Sequence, residues 1–292
     1  MRTMRINHGF QRKPQMIKIQ ESELKVMLFT NARDESRIKE WAAHHLLLGF
    51  DIVYIFDHKS KKPIKNEFVN FKKRVLVERC EMENPVKLPL MQRAANIAKS
   101  VGAHWFIYLD ADEFLILNTY PNVKRMLFDF PLAHSLGINW LFFGTSHYVK
   151  EPTGLILENY VKSDLLLDKH VKTFVKPQFI VNSLNPHYYK MRRGCRLMSI
   201  NHTVMNPTSN LAFNPWNIEY YKSPAYIAHY IFQSQETYIN RKIKLPADDT
   251  GGMRNEQKDV HEYYNGHENK DPCNKYASRI KEFLQKIDMP SS

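Results

Sequence analysis

Short apolar runs recur along the first half of the chain, each closed by polar residues. Four such runs are Lys25–Thr30, Ile52–Phe56, Arg74–Val77 and Trp105–Leu109. Runs of this length and composition are typical of buried parallel strands, in which both faces are covered. We therefore predict four strands in the first 110 residues.

Apolar residues at three- and four-residue spacing lie between these runs. One helix is predicted from Asp34 to Gly49, and a second over Pro85–Val101, closed by Gly102. Alternating strands and helices predict a mostly parallel central sheet flanked by helices, an α/β fold related to the Rossmann type. Trp41 and His45 lie on the apolar face of the first helix, so we interpret them as core residues.

The second half of the chain has weaker patterns and no internal repeat. Predicted strands are Ser135–Phe143, Val171–Val175, Met198–Val204 and Tyr226–Phe232, and predicted helices are Gln235–Leu245 and Tyr276–Ile287. We divide the chain into a basic N-terminal arm at 1–23, one catalytic domain at 24–245 and a C-terminal helical extension at 246–292.

Polar residues follow three of the predicted strands, at 31–35, 57–60 and 110–113. Ligands of open α/β sheets bind beyond the carboxyl ends of the strands, so these segments are the candidate site. The third segment holds three carboxylates, those of Asp110, Asp112 and Glu113. In an extended segment Asp110 and Asp112 would point to one side and Glu113 to the other.

Three carboxylates beside a buried strand repel one another unless a positive charge offsets them. Mn²⁺ or Mg²⁺, hard cations that prefer oxygen ligands, would supply that charge. The alternative is a solvated loop that caps a helix. His229, at the end of a predicted strand, is our first candidate for a third metal ligand, and His187 is the second candidate.

The composition excludes some classes of protein but does not identify the ligand. The chain has 292 residues and a formal net charge of +12, but its Lys and Arg residues are spread along the sequence, so we expect no nucleic-acid partner. Three separated cysteines indicate neither a disulfide framework nor a zinc site and favour a reducing compartment. No apolar run approaches the ~20 residues that cross a bilayer. We expect a cytoplasmic protein, with peripheral contact to anionic lipid headgroups left open.

The sequence resembles the GT-A glycosyltransferases, in particular the family 2-like branch related to family 92. The first matching block is ARDESRIKEWAAHHLLLGFDIVYIFDHKS, and the second is HWFIYLDADEFL, which follows a helix with Gln92–Asn96. Later blocks are INWLFFGTSHYVKEPTGLILENY, HVKTFVKP, NPHYY and IAHYIFQSQETYINRK. The matches keep their order from Leu24 to Lys244. The chain departs from the pattern at Asp34, at His58 and at Leu245-Pro246, where the branch usually has Arg-Gly.

The resemblance implies transfer of a sugar from a nucleotide-diphosphate donor, with UDP favoured, to a hydroxyl of a glycan or glycolipid. It implies that Asp112 binds the metal and that Asp110 reaches the ribose or the metal. The other donor-site residues that we predict are Thr30, Ala32, Arg33, Glu35, Asp57, Arg93, Ala111 and Lys242. The last of these, with Arg241 as a further candidate, would neutralise the departing diphosphate.

An inverting transfer also needs a base that removes the proton of the acceptor hydroxyl. Glu158 and Asp164 follow the block around Trp140 and Gly144, and we predict Glu158 as the base with Asp164 as the alternative. Two rival functions remain open at this point. One is a nucleotidyltransferase, although residues 30–36 contain no glycine for a phosphate loop; the other is a catalytically degenerate binding protein.

Overall fold

A computed structural model of the chain describes residues 20–206 and 211–289. Most of the predicted N-terminal arm, residues 1–19, lies outside the described residues. Within them, no helix is both long and apolar enough to cross a bilayer.

The first half of the chain folds as alternating strands and helices, as its pattern predicts. The elements are β1 (Val26–Ala32), α1 (Ile38–Leu47), β2 (Ile52–His58), β3 (Val75–Cys80), α2 (Lys87–Ser100) and β4 (Trp105–Tyr108). Strand β1 is longer than predicted and includes Asn31 and Ala32, which are buried.

The second half supplies more strands than its weak pattern predicts. Its elements are β5 (Glu113–Leu117), α3 (Val123–Phe128), β6 (Ser135–Phe142), α4 (Ile156–Asn159), β7 (Lys162–Ser163), β8 (Val171–Val175), β9 (Ile180–Asn185), β10 (Tyr188–Met191), β11 (Leu197–Ser199), β12 (Ala225–His229), α5 (Gln235–Tyr238), β13 (His267–Glu268) and α6 (Asp271–Asp288). The predicted helix Gln235–Leu245 is α5 followed by a π-helical turn, Ile239–Ile243.

Nine of the described strands form one central sheet. Its order is β3-β2-β1-β4-β8-β6-β12-β5, with β11 paired to β6. Strands β3, β2, β1 and β4 are mutually parallel, whereas β8 runs antiparallel to both β4 and β6. The expected α/β fold with a mostly parallel central sheet flanked by helices is confirmed. The sheet brings β4 and β12, which carry Asp110 and His229 at their carboxyl ends, to one edge of the molecule.

The sheet has an apolar layer on each face because side chains alternate along its strands. In β1, Val26 and Leu28 pack into the larger cluster with α1, while Met27 and Phe29 pack into the cluster with α2. Both faces of β1 are therefore covered, which explains its continuous apolar run.

The first helix is tied to β5 through buried polar contacts. The Trp41 indole nitrogen donates to the Glu113 carbonyl over 2.7 Å, and the rings of Trp41 and His45 lie 4.7 Å apart in the core. The interpretation of both residues as core is confirmed. At the end of α1, Gly49 adopts a φ of 97°, a left-handed conformation that favours glycine. These contacts hold the backbone of Glu113, next to the candidate site.

Candidate functional site

Asp110, Ala111 and Asp112 form a tight turn between β4 and β5, rather than the extended segment that we expected. The Glu113 amide donates to the Asp110 carbonyl over 3.0 Å, and the Glu113 carboxylate accepts from the Asp110 amide over 2.8 Å. The turn separates the two aspartate side chains, which take different partners. The expected extended segment was therefore wrong, although both aspartates line the same cavity.

Asp112 is buried and surrounded by cationic or basic groups. Lys242 donates to its Oδ2 over 2.7 Å, Arg241 lies 3.8 Å from the same oxygen, and His229 Nε2 lies 3.7 Å from Oδ1. Burial opposes the charge of this carboxylate, but the attraction of its cationic neighbours, Lys242 above all, outweighs it and lowers the pKa of Asp112. Asp112 is thus held as an anion at the base of the site.

Arg241 and Lys242 both belong to the π-helical turn that follows α5. Arg241 also pairs with Glu35, whose pKa is raised chiefly by burial. A π-helical turn is rare and often occurs at functional sites. Here the turn places two consecutive cationic side chains, Arg241 and Lys242, beside the Asp112 carboxylate. The residues predicted to bind the diphosphate are therefore next to the residue predicted to bind the metal.

Two lysines that sequence reasoning missed hold Asp110. Lys87, at the start of α2, pairs with Oδ1, and Lys172, in β8, donates to Oδ2 over 3.1 Å. Both lysines are buried. Burial, followed by the repulsion of Lys172, lowers the pKa of Lys87 to about 7. A buried ammonium group is stabilised by a nearby negative charge, and Lys87 and Lys172 share that of Asp110.

Glu113 is fully buried behind the turn, where Lys172 lies 3.5 Å from its Oε2. Burial raises its pKa to about 7. Its Oε1 has no hydrogen-bond partner among the described residues. Glu113 therefore stabilises the turn from its buried side, through the hydrogen bond from the Asp110 amide.

His229 ends β12, where it is buried, pairs in the sheet with Glu113 of β5 and lies 3.7 Å from Asp112; it is not part of the cavity lining. Its ring packs against Trp140 at 4.5 Å and Phe142 at 5.5 Å. Burial lowers the pKa of His229 to about 3, so the imidazole is neutral, and its Nδ1 has no partner among the described residues. A neutral imidazole nitrogen beside a carboxylate is suited to bind a metal.

The segment that follows the π-helical turn forms another wall. Leu245, Pro246, Asp248, Asp249 and Arg254 line the same cavity as Asp110 and Asp112. The Asp248 carbonyl accepts from the amides of Val86 and Lys87, which ties this wall to the start of α2. The predicted domain boundary at 245/246 thus falls inside the wall of the site.

The cavity has balanced fixed charge although the chain is strongly basic. Its lining includes five cationic side chains, Arg33, Lys87, Arg241, Lys242 and Arg254, and five carboxylates, Glu35, Asp110, Asp112, Asp248 and Asp249. The excess of +12 therefore lies elsewhere on the protein. Arg33 Nε is buried without a hydrogen-bond partner among the described residues, so it is one donor available to a ligand.

Of the predicted donor-site residues, Arg33, Glu35, Asp110, Ala111 and Lys242 line this cavity, together with the predicted metal ligand Asp112. Thr30, Ala32, Asp57 and Arg93 are not part of its lining. Thr30 and Ala32 are buried in β1, and Arg93 pairs with Glu78 over 2.8 Å on the surface.

Asp57 is buried, and its carboxylate is occupied by the protein itself. It accepts from the amides of Ser60 and Ile64 over 3.3 and 3.0 Å, and it pairs with Arg79 over 3.2 Å. These contacts hold the loop after β2, so the geometry gives the predicted nucleoside contact of Asp57 no support.

The two candidate bases lie in different places. Glu158, in α4, pairs with Lys281 of α6 over 2.5 Å and does not line the cavity, so its position gives no support to its predicted role. The Asp164 amide donates to the Phe142 carbonyl over 3.0 Å, which places Asp164 beside the aromatic residues that pack on His229. Burial, then the nearby charge of Asp168, raises the pKa of Asp164.

The donor atoms present fit one divalent cation only in part. No three His, Cys, Asp or Glu side chains gather around one point in the described ranges. Asp112 and the neutral His229 nevertheless supply a carboxylate oxygen and an imidazole nitrogen 3.7 Å apart. Mg²⁺ and similar cations are commonly bound by one or two side chains plus substrate phosphates, so these two ligands fit a cation that arrives with a phosphate group. Asp110 is turned toward Lys87 and Lys172.

No protein-family model matches the sequence, and no curated protein matches it. Among solved structures, the chain is similar to S. aureus TarS 1-349 with a TM-score of 0.35, 13% identity and coverage of 53% of this chain and 48% of that chain. The same fragment in complex with UDP matches with a TM-score of 0.33, 12% identity and the same coverage.

A cytidylyltransferase from Leptospira borgpetersenii serovar Hardjo-bovis matches with a TM-score of 0.26 and 16% identity, over 39% of this chain and 53% of that chain. The chain thus spans about half the length of these structures. Likeness at this level carries no conclusion about ligand or reaction.

Proposed function

We propose that this protein is a glycosyltransferase that moves a sugar from a nucleotide-diphosphate donor to a hydroxyl acceptor. The observation that carries the proposal is the cavity beyond β1 and β4, whose lining includes Asp112 together with Lys87, Arg241 and Lys242. His229 and Lys172 are buried outside that lining, His229 3.7 Å from Asp112 and Lys172 3.1 Å from Asp110. Carboxylate and imidazole bind a divalent cation, and the cations around them bind phosphate oxygens. This is the combination that a departing nucleoside diphosphate needs.

In the proposed site Asp112 and His229 would hold Mn²⁺ or Mg²⁺, which would offset the charge that develops on the leaving diphosphate. Lys242 and Arg241 are next to the Asp112 carboxylate. If a metal cation replaced them as the partner of Asp112, their side chains would be close enough to bind the phosphate oxygens of the donor. Lys172 and Lys87 approach from the other side, over Asp110. The fixed charges are in place before the ligand arrives, which lowers the cost of reorganisation in the reaction.

Arg33 and Glu35 lie near the carboxyl end of β1, where the nucleoside of the donor would sit. The sequence resemblance favours UDP as the nucleotide and a glycan or glycolipid as the acceptor. Contact with a membrane surface remains a prediction.

Calorimetry with UDP in the presence and absence of Mn²⁺ tests the binding half of the proposal. We expect UDP to bind with Mn²⁺ and to bind much more weakly in excess EDTA. Incubation with UDP-, GDP- and CMP-sugars then tests the reaction, with released nucleotide as the readout. Turnover of CTP and a sugar phosphate to pyrophosphate, without use of any nucleotide sugar, would instead identify a nucleotidyltransferase.

A further inference from the structure

Asp168 and His170 form a hydrogen-bonded pair beside the proposed donor cavity. The distance from His170 Nδ1 to Asp168 Oδ1 is 2.5 Å, and the His170 amide donates to the same oxygen over 2.8 Å. An ionised carboxylate only accepts hydrogen bonds, so the contact places the ring proton of neutral His170 on Nδ1. The lone pair of Nε2 is then free, and Nε2 has no hydrogen-bond partner among the described residues.

The Asp168–His170 pair is held by Trp140 of β6, whose ring lies between His170 and the proposed metal ligand His229. The His170 ring stacks on Trp140 at 5.2 Å with 23° between the planes, and Trp140 packs against His229 at 4.5 Å. The Trp140 amide donates to the His170 carbonyl, and the Asp168 amide donates to the Trp140 carbonyl. One indole ring thus lies between His170 and His229.

His170 is suited to proton transfer in ways that its neighbours are not. About 30% of its side chain is exposed, so an acceptor can reach it. His187 is more deeply buried; its Nδ1 is bonded to the Val171 carbonyl, and burial, then the charge of Lys172, lowers its pKa to about 4. Of the three histidines whose rings pack on Trp140, His170 is the one whose ring is within hydrogen-bond distance of a carboxylate; His229 lies 3.7 Å from Asp112.

We propose that His170 is the base that deprotonates the acceptor hydroxyl and that Asp168 is its positioning residue. The assignment rests on the proposed glycosyltransferase function. The acceptor oxygen forms a bond to the anomeric carbon while the bond between that carbon and the diphosphate oxygen breaks. The acceptor proton moves to His170 Nε2, and the electron pair of the broken bond leaves with the diphosphate. Asp168 stabilises the imidazolium, which then loses its proton to water.

The test compares His170→Asn with His202→Asn in the full chain. His202 is a matched control because it is exposed, its ring stacks on Phe130 at 4.4 Å, and its φ of 64° suits asparagine. UDP-glucose, UDP-galactose and UDP-N-acetylglucosamine serve as donors with Mn²⁺, and octyl glycosides or water serve as acceptors. UDP release gives the rate, and calorimetry gives UDP affinity.

We expect His170→Asn to lower kcat by about 10²- to 10⁴-fold with UDP affinity unchanged, and His202→Asn to behave as wild type. Added imidazole should restore part of the rate to His170→Ala. Asp168→Asn should lower kcat with UDP affinity unchanged, and Asp168→Glu should recover part of the rate, since a carboxylate is again present to accept from His170 Nδ1. The charged and titratable groups around the pair are Asp164, Asp168, Lys169, Lys172 and His187.

Each other outcome overturns the assignment. Near wild-type turnover in His170→Asn, with loss in Asp164→Asn, identifies Asp164 as the base. Equal loss of UDP affinity and rate in His170→Asn shows a structural role. Wild-type protein that binds UDP but releases none from any donor has no such base. Wild-type protein that binds no nucleotide refutes the proposed function itself.

Discussion

Asp112→Asn is the substitution that tests the site most directly, because it removes one charge and changes almost no volume. In the structure the carboxylate is 1% exposed and is paired with Lys242, with Arg241 and His229 close by. The substitution therefore has two separable consequences: an uncompensated lysine in the free protein, and the loss of a ligand in the metal-bound protein.

The first consequence is a loss of stability. Removing one partner of a fully buried ion pair costs about 3–5 kcal/mol. Here Lys242 keeps 23% of its side chain exposed and can regain water, and Arg241 keeps its pairing with Glu35. We therefore expect a smaller cost of about 1–3 kcal/mol, which for a chain of this size lowers Tm by roughly 2–8 °C.

The second consequence is a loss of metal-dependent nucleotide binding. Residues that only support a metal ligand contribute about 10- to 100-fold to metal affinity, so we expect the ligand itself to contribute at least that much. UDP with Mn²⁺ at about 100 times the Kd should stabilise wild-type protein by about 2.7 kcal/mol. Asp112→Asn should lose that stabilisation.

Thermal unfolding with and without Mn²⁺ and UDP separates the two consequences. Asp249→Asn is the control, since Asp249 lines the same cavity but is more exposed and lies 3.8 Å from Arg254. An exposed pair of this kind contributes about 0–1 kcal/mol, so the control should match wild type closely. If Asp112→Asn keeps wild-type, Mn²⁺-dependent affinity for UDP, then Asp112 is not a metal ligand and the reasoning is refuted.

Three further predictions follow from single contacts. Lys172→Met should weaken UDP binding by about 1.5–3 kcal/mol in calorimetry, while Lys176→Met, whose ammonium packs over Trp105 at 4.8 Å, should not. Asp57→Asn should cost about 1–3 kcal/mol of stability in urea unfolding with UDP affinity unchanged; reduced affinity at full stability would support a nucleoside contact instead. Burial raises the pKa of Glu40 to about 7, so the folded protein retains a proton that the unfolded chain releases. Wild-type stability should therefore fall as pH rises from about 4.5 to 7, and urea titrations should show a shallower fall in Glu40→Gln.

The fold was largely predictable because its strands are defined by local pattern. Each of the four early strands forms near its apolar run, since both faces of the sheet are buried there. Strand β5 was not predicted, nor were the short strands β7, β9, β10 and β13 of the second half. The reason is clearest for β5. It begins at Glu113, directly after the aspartate turn, so no turn residue such as glycine or proline separated it from the motif. The helix expected at 235–245 contains a π-helical turn for which the sequence carries no evident signal.

Local pattern marked candidate residues at the ends of strands, and the family resemblance added Lys242, 130 positions from Asp112. Asp110 and Asp112 stood out because three carboxylates follow one apolar run. Lys172 lies 62 positions from Asp110, and nothing local distinguishes it from a surface lysine. Glu158 was predicted as the base because it is close in sequence to the block around Trp140, but closeness in sequence does not determine where a side chain points. Its partner is Lys281, 123 positions away. Long-range contacts of this kind are set by packing between elements.

The balance of charge in the cavity explains why a cation and a diphosphate would enter together. Five cationic and five acidic side chains line it, so the donor meets no large net attraction there despite the overall charge of +12. A diphosphate ester alone brings about two negative charges that would compete with Asp110 and Asp112 for the same lysines, and a divalent cation offsets both. A cation held by Asp112 would free Lys242 to bind the phosphates, and its two positive charges would match the two negative charges of the diphosphate ester. Neither ligand alone preserves the balance of charge, and this is the physical basis on which we infer that metal and donor bind as a unit.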